Sequence, residues 1–286
     1  FKKLAEGTRN KDIKSICEYA AAKSGTNRNE YTGMFKGYNL IYICAESFSN
    51  YAVDPVITPT LYKLANEGIV LDNYYNAFKN TTTNGEFSFL TSLWPDVSRY
   101  AKLGTNKGSF AQSAKNVLPM GLGTLFNEQC KTTSHGYHNY KGSYYCREDT
   151  LPNLGFTCKF MNEGMKFTTS WPASDLEMME QSIDDYINDE QFCAYYMTFS
   201  GHGPYSDSNV MYNRNIKEVK QLASGRKYSD CALGYFATNY ELEKAMKYLL
   251  ERLEQADKLK NTVIVMTGDH YPYYLDDYAR NEIAGH

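Results

Sequence analysis

Three apolar runs of strand length each end in a polar cluster able to do chemistry. Residues 38–45 (YNLIYICA) lead into Glu46-Ser47, residues 194–199 (AYYMTF) into Ser200-Gly201-His202-Gly203-Pro204, and residues 263–267 (VIVMT) into Gly268-Asp269-His270. A glutamate, an aspartate and a histidine brought together form a divalent-cation set. An oxygen-rich set with one imidazole suits Mn²⁺ or Mg²⁺, with Zn²⁺ as a further option. Each residue alone is a weak signal, because a strand-end glutamate is ordinarily solvated and a histidine in a turn is ordinarily hydrogen-bonded. The ordered set carries the argument.

A fourth cluster supplies a nucleophile. Thr81-Thr82-Thr83 precedes Asn84-Gly85-Glu86-Phe87, and Phe87, Leu90 and Leu93 fall at helical spacing. A threonine at the start of that helix lies near unpaired backbone N–H groups and the positive end of the dipole, which favour an anionic oxygen or a phosphate. The dipole contributes only about 0.3 to 1 kcal/mol and cannot ionise an alcohol. A metal on the hydroxyl oxygen has to do most of that. From residue type alone, any one of the three threonines could be the nucleophile while the others cap the helix.

The elements that must position these residues read as alternating strands and helices. The run at 38–45 is polar on neither face, as in a parallel strand covered on both sides. Thr58-Pro59 opens a helix with Leu61, Leu64 and Ala65 at helical spacing and Gly68 as its stop. Residues 69–78 read as a second strand, closing a βαβ unit. Residues 192–199 and 262–267 are two further strands, and residues 235–258 between them form a long amphipathic helix. The pattern predicts an α/β fold with a doubly wound, mostly parallel sheet and helices on both faces. Ligands of such sheets bind beyond the carboxyl ends of the strands, so the clusters should converge on one crevice. Residues 1–36 read as a helical lead-in and 37–286 as the catalytic domain. Residues 97–160, rich in Gly, Asn, Ser and Tyr, read as long loops over the site, with His135 on the loop surface.

The bulk properties exclude some classes. Lys and Arg total 30 against 33 Asp and Glu, a formal net charge of −3, so no basic field exists to hold nucleic acid. No stretch approaches the roughly 18 to 20 consecutive apolar residues of a membrane span. The seven cysteines include no CxxC pair or zinc-like spacing. Cys44 and Cys193 read as buried thiols, and a Cys146–Cys158 bridge stays open for an oxidising compartment. The 26 tyrosines suit either a polar-tipped core and surface or a rim that lies on lipid head groups or glycan.

From Tyr38 to His270 the motifs AES, TPTLYKL, TTNGEF, SGHGPY, YSDCALGYF and NTVIVMTGDH occur in order. Together they resemble the lipoteichoic acid synthases and related phosphoglycerol transferases of the alkaline phosphatase and sulfatase superfamily. The resemblance implies that Glu46, Thr82, Asp269 and His270 hold one metal, Mn²⁺ above all, and that Thr82 attacks phosphorus. It places His202 beside the reacting phosphate. The segment from His138 to Arg147 resembles the family's head-group pocket, which implies substrate-binding roles for His138, Tyr145 and Arg147. Tyr140 stands where that family carries an aspartate, and Tyr145 where it carries a tryptophan, which opens the identity of the head group. Arg147 reads either as a bidentate grip on phosphate or as a surface partner of Glu148 or Asp149.

The resemblance implies a domain on the extracellular face of a bacterial membrane, anchored by a segment not present in this chain and continuing beyond residue 286 in its relatives. Its partners would be a phospholipid donor, a polymer or glycolipid acceptor and the membrane surface, without nucleic acid. The activity implied is transfer of phosphoglycerol from a lipid such as phosphatidylglycerol through a phosphothreonine. The alternatives are transfer or hydrolysis of phosphoethanolamine or another head group, or a catalytically silent glycolipid-binding domain. Sulfatase chemistry is disfavoured, because the nucleophile segment has no Cys-x-Pro-x-Arg or Ser-x-Pro-x-Arg sequence.

Overall fold

The computed structural model describes residues 1–25, 27–75, 81–95 and 110–285. The chain divides into two compact units, residues 1–36 and residues 37–286. In the first, α1 (Lys2–Gly7) and α2 (Lys11–Ala22) bury Ala5 and Cys17. The Asn10 side chain opens α2 by accepting from the Asp12 and Ile13 N–H groups.

The second unit is built on a six-stranded sheet in the order β4-β3-β2-β5-β1-β6. Its strands are β1 (Asn39–Ala45), β2 (Ser134–His138), β3 (Phe156–Met161), the two-residue β4 (Gly164–Met165), β5 (Cys193–Met197) and β6 (Thr262–Gly268). Every pairing is parallel. Alternation of side chains across the sheet makes two cores. Ile41, Ile43, Ala194 and Tyr196 point to one face, where they meet Met178 and Met179 of α8 (Asp175–Ser182) and Leu242, Ala245, Met246, Leu249 and Leu253 of α10 (Asp230–Gln255). Cys44, Cys193, Tyr195 and Met197 point to the other, against Phe87 and Leu90 of α4 (Thr82–Thr91), Leu151 of α7 (Arg147–Asn153) and Leu154. Both faces are therefore covered, as the apolar runs require. None of the described helices is long and apolar enough to cross a membrane.

Three local expectations differ from the structure. Residues 69–75 form no strand: Ile69, Val70 and Leu71 stand exposed, and the chain turns between Leu71 and Tyr74. Residues 76–78 lie outside the described ones. The parallel neighbours of β1 are instead β5 and β6, whose apolar runs cover its edges. Residues 97–160 are not loops throughout, since β2, α6 (Leu122–Cys130), α7 and most of β3 lie within them. Strand β2 reads SHGYH and shows no apolar run; its polar residues are satisfied in place, with Ser134 N–H donating to Asn127 Oδ1 at 2.7 Å. At Gly136 a Cβ would lie 3.1 Å from Cys158 Sγ on β3, so any larger residue would press on that side chain. His135 accordingly lies in a strand, half-buried, rather than on a loop surface. Finally, Thr58 precedes α3 (Pro59–Glu67) as expected, but its side chain does not cap it. The Thr60 and Leu61 N–H groups donate to the Glu243 carboxylate of α10, both at 2.9 Å.

Candidate active site

The ends of β1 and β6 and the start of α4 bring Glu46, Thr82, Asp269 and His270 together, all of them buried. Donor atoms of Glu46, Asp269 and His270 lie within 4.8 Å of one another. His270 Nε2 is 3.4 Å from Glu46 Oε1 and 3.2 Å from Asp269 Oδ2. Thr82 occupies the first turn of α4, and its hydroxyl donates to Glu46 Oε2 at 3.4 Å.

One residue ties the two carboxylates together. Ser47 donates its backbone N–H to Asp269 Oδ1 and its hydroxyl to Glu46 Oε1, both at 2.8 Å. It does so from a left-handed conformation (φ 53°) that few non-glycine residues adopt, strain of a kind found at functional sites. His270 N–H also donates to Asp269 Oδ1 at 2.8 Å, so the backbone holds the aspartate.

The electrostatics of this cluster ask for a cation. Burial first, and then the neighbouring Glu46 carboxylate, raise the Asp269 pKa. Burial alone would lower that of His270, but Asp269 and Glu46 more than offset it and raise it. Asp269 holds its proton more tightly because the negative charge it shares this buried site with is uncompensated. A divalent ion relieves that charge, and the donor set fits one.

On the far side of the cleft the charges are already matched. The cleft runs between Glu46 and Thr82 on one wall and His138, Tyr140, Tyr144, Tyr145, Arg147, Trp171, Phe199 and His202 on the other. Arg147 pairs with neither Glu148 nor Asp149. It is buried against Glu86 of α4, with Nη2 2.8 Å from Oε2 and Nε 3.0 Å from the same oxygen. Tyr195 of β5 donates its hydroxyl to Glu86 Oε1 at 2.8 Å. Arg147 Nη1 lies 3.3 Å from His138 Nε2, and His138 Nδ1 lies 2.9 Å from the Met197 carbonyl. The carbonyl can only accept, so His138 carries its proton on Nδ1 and accepts from Arg147 at Nε2. Burial and then Arg147 push the His138 pKa well below its ordinary value, which keeps it neutral.

Sequence reading missed three contributors to this wall. Glu86 appeared only as a spacing residue in TTNGEF, although its place four residues after Thr82 puts it on the same helix face. Trp171 meets Tyr140, Phe199 and His202 at ring-centroid distances of 5.0, 4.9 and 5.3 Å. Asp175 is fully buried at the start of α8. It accepts from the Phe199 and Ser200 N–H groups at 2.8 and 3.1 Å, from the Ser200 hydroxyl, and from Asn139 Nδ2 at 2.8 Å. It thereby ties the ends of β2 and β5, which carry His138 and His202. Burial, against those hydrogen bonds, raises its pKa to about 6. Tyr145, over the Arg147 guanidinium at 5.3 Å, and His202, with Nδ1 2.6 Å from the Gly203 carbonyl, line the same cleft. Cys146 and Cys158 are free thiols.

The profile of the sulfatase family matches residues 38–284. The chain belongs to the sulfatase family. Among curated relatives, this sulfatase-family domain is similar to lipoteichoic acid synthase 1 of Bacillus subtilis, 26% identical over 91% of this chain and 40% of the relative. It is also similar to lipoteichoic acid synthase of Staphylococcus saprophyticus, 25% identical over the same shares of the two chains. The domain thus spans about two-fifths of the length of these relatives. Among solved structures, lipoteichoic acid synthase LtaP of Listeria monocytogenes superposes with a TM-score of 0.67 at 22% identity, over 90% of this chain and 62% of that one. The all-parallel sheet with helices on both faces is the fold of that protein, and the resemblance read from the sequence holds.

Proposed function

We propose that this domain transfers a phosphoglycerol group from a phospholipid such as phosphatidylglycerol to a cell-envelope polymer or glycolipid, on the outer face of a bacterial membrane. The observation that carries the reading is the placement of Thr82, at a helix N-terminus and in hydrogen-bond reach of a buried Glu46–Asp269–His270 set. The names of the lipoteichoic acid synthases to which the chain is similar support the phosphoglycerol reading.

Glu46, Thr82, Asp269 and His270 would hold one divalent ion, Mn²⁺ first, with Mg²⁺ or Zn²⁺ as the alternatives. Bound there, the ion supplies Lewis acidity that lowers the proton affinity of the Thr82 hydroxyl and offsets charge on the transferring phosphoryl group. Thr82 Oγ1 gives up its proton to solvent and forms a bond to phosphorus as the bond from phosphorus to the diacylglycerol oxygen breaks; that oxygen takes up a proton, and the glycerol phosphate stays on Thr82 as a phosphothreonine diester. His202 carries its proton on Nδ1 toward Gly203, which leaves Nε2 to exchange a proton with the departing or incoming hydroxyl. His138, Tyr145 and Arg147 shape the pocket for the head group. An acceptor hydroxyl then attacks the phosphothreonine, loses its proton and restores Thr82.

Intact-mass analysis of the Mn²⁺-loaded domain after incubation with phosphatidylglycerol vesicles tests this. The expected result is a glycerol phosphate adduct that maps to Thr82 and is absent from Thr82→Ala. A folded, metal-loaded protein without adduct would overturn the head-group assignment. A second reading, with phosphoethanolamine or another head group, is favoured by one observation: Tyr140 is packed edge-on against Tyr144 and Trp171, so no carboxylate meets the head group there.

A further inference from the structure

We propose that Glu86 sets the charge selectivity of this cleft, holding Arg147 in a closed ion pair so that the site favours a phosphodiester monoanion over a phosphomonoester dianion. The proposal rests on the phosphoryl-transfer reading above. An arginine facing a phosphoryl site ordinarily grips two oxygens with its fork of N–H groups. Here that fork is spent. Nε and Nη2 go to Glu86, and Nη1 lies within reach of His138 Nε2 and, at 3.4 Å, the Tyr144 carbonyl. Of the five N–H groups an arginine owns, these contacts commit four.

Glu86 is held for this task from two sides. It is fully buried on α4, one turn after the nucleophile, and Tyr195 fixes its Oε1 from β5. Tyr145 and Phe110 lie over the Arg147 guanidinium at 5.3 and 6.0 Å and shield the pair, which strengthens its mutual attraction. His138 is neutral, as its hydrogen bonds require. Arg147 and Glu86 therefore cancel, and His138 adds no charge. At the near wall the charge of a divalent ion is offset by Glu46 and Asp269. A phosphodiester brings one negative charge into this balance, whereas a phosphomonoester brings up to two above its second pKa of about 6. The second charge finds no free cation among the described residues of the cleft.

The decisive measurement is calorimetric binding of methyl phosphate and dimethyl phosphate at pH 8 to the Mn²⁺-loaded protein and to Glu86→Gln. The substitution keeps the shape of the side chain and an oxygen for Tyr195 and Arg147, and removes only the charge. The wild type should bind dimethyl phosphate at least as tightly as methyl phosphate. In Glu86→Gln the affinity for methyl phosphate should rise about tenfold or more, with a smaller gain for dimethyl phosphate, because an uncompensated charge a few ångströms away acts twice as strongly on a dianion. An unchanged ratio in the folded variant would overturn the proposal, and so would a wild type that already prefers methyl phosphate tenfold. Should Glu86→Gln not fold, the wild-type preference still decides, and Tyr195→Phe, which releases Glu86 Oε1, should move the ratio in the same direction by a smaller factor. If neither phosphate binds the metal-loaded wild type, the phosphoryl-transfer reading itself falls and takes the proposal with it. That outcome is distinct from binding with an unchanged ratio.

Discussion

The two walls of the cleft solve the burial of charge in opposite ways. At the near wall, Glu46 and Asp269 share a buried site with a single imidazole, and burial and mutual repulsion raise the proton affinity of Asp269. At the far wall, Arg147 and Glu86 are equally buried but matched one to one, and His138 is held neutral between Arg147 and the Met197 carbonyl. An unmatched cluster can be relieved by a cation from outside the chain. A matched cluster holds the chain's own geometry. The difference separates a wall whose charge is left unmatched from a wall whose charge is matched within the chain.

The comparison breaks most readily at the matched wall. Arg147→Ala leaves Glu86 buried without its partner, which should cost about 3 to 5 kcal/mol of stability in urea unfolding, whereas Arg147→Met with Glu86→Leu should cost much less. Equal losses in the two variants would mean that the pair is not electrostatically closed. At the unmatched wall, Asp269→Asn should weaken Mn²⁺ binding by about 100-fold in calorimetry, since one of two carboxylates is lost.

A smaller effect sharpens the contrast through pH. Asp269 and His270 both have folded-state pKa values above their ordinary ones. Such groups bind more protons folded than unfolded, so the stability they contribute is present at low pH and is lost as pH rises. For Asp269 the loss begins above the ordinary carboxylate pKa of about 4, and for His270 above about 6.5. Asp269 and His270 should therefore contribute a fall in the melting temperature of the metal-free protein between pH 5 and pH 8, against the opposite contribution of His138, whose depressed pKa costs stability as pH falls, and Mn²⁺ should remove the Asp269 and His270 contribution because the ion replaces the protons. Asp269→Asn should flatten the metal-free profile. The smallest expected effect is at Tyr140. Tyr140→Asp would place a hydrogen-bond acceptor on the aromatic wall and should shift the ratio of phosphatidylglycerol to phosphatidylethanolamine use by a few-fold toward the glycerol donor, read as adduct mass on Thr82.

Legibility in the sequence follows the same division. The near wall hangs from the apolar runs of β1 and β6, and a buried parallel strand announces itself by composition and delivers its next residues to the ligand edge of the sheet. Glu46, Asp269 and His270 could therefore be placed by local pattern, whereas the helix start left three threonines open and only the family resemblance singled out Thr82. The far wall hangs from β2, whose SHGYH carries no apolar run because neighbouring strands and side chains satisfy its polar groups. From the sequence it reads as loop for that reason. Residues 69–71 failed the other way: β-branched and apolar by composition, they meet no strand and stay exposed.

The sequence by itself determined the alternation of strands and helices, the clusters at the strand ends and the family to which they belong, because those depend on residues close together in the chain. Only the tertiary structure decided which charge meets which. Glu86 and Arg147 are separated by 61 positions, Glu243 reaches α3 across 182 or more, and Asp175 joins β2 to β5 from a helix that belongs to neither. Charge pairing acts through space, so its partners leave no spacing for the sequence to show.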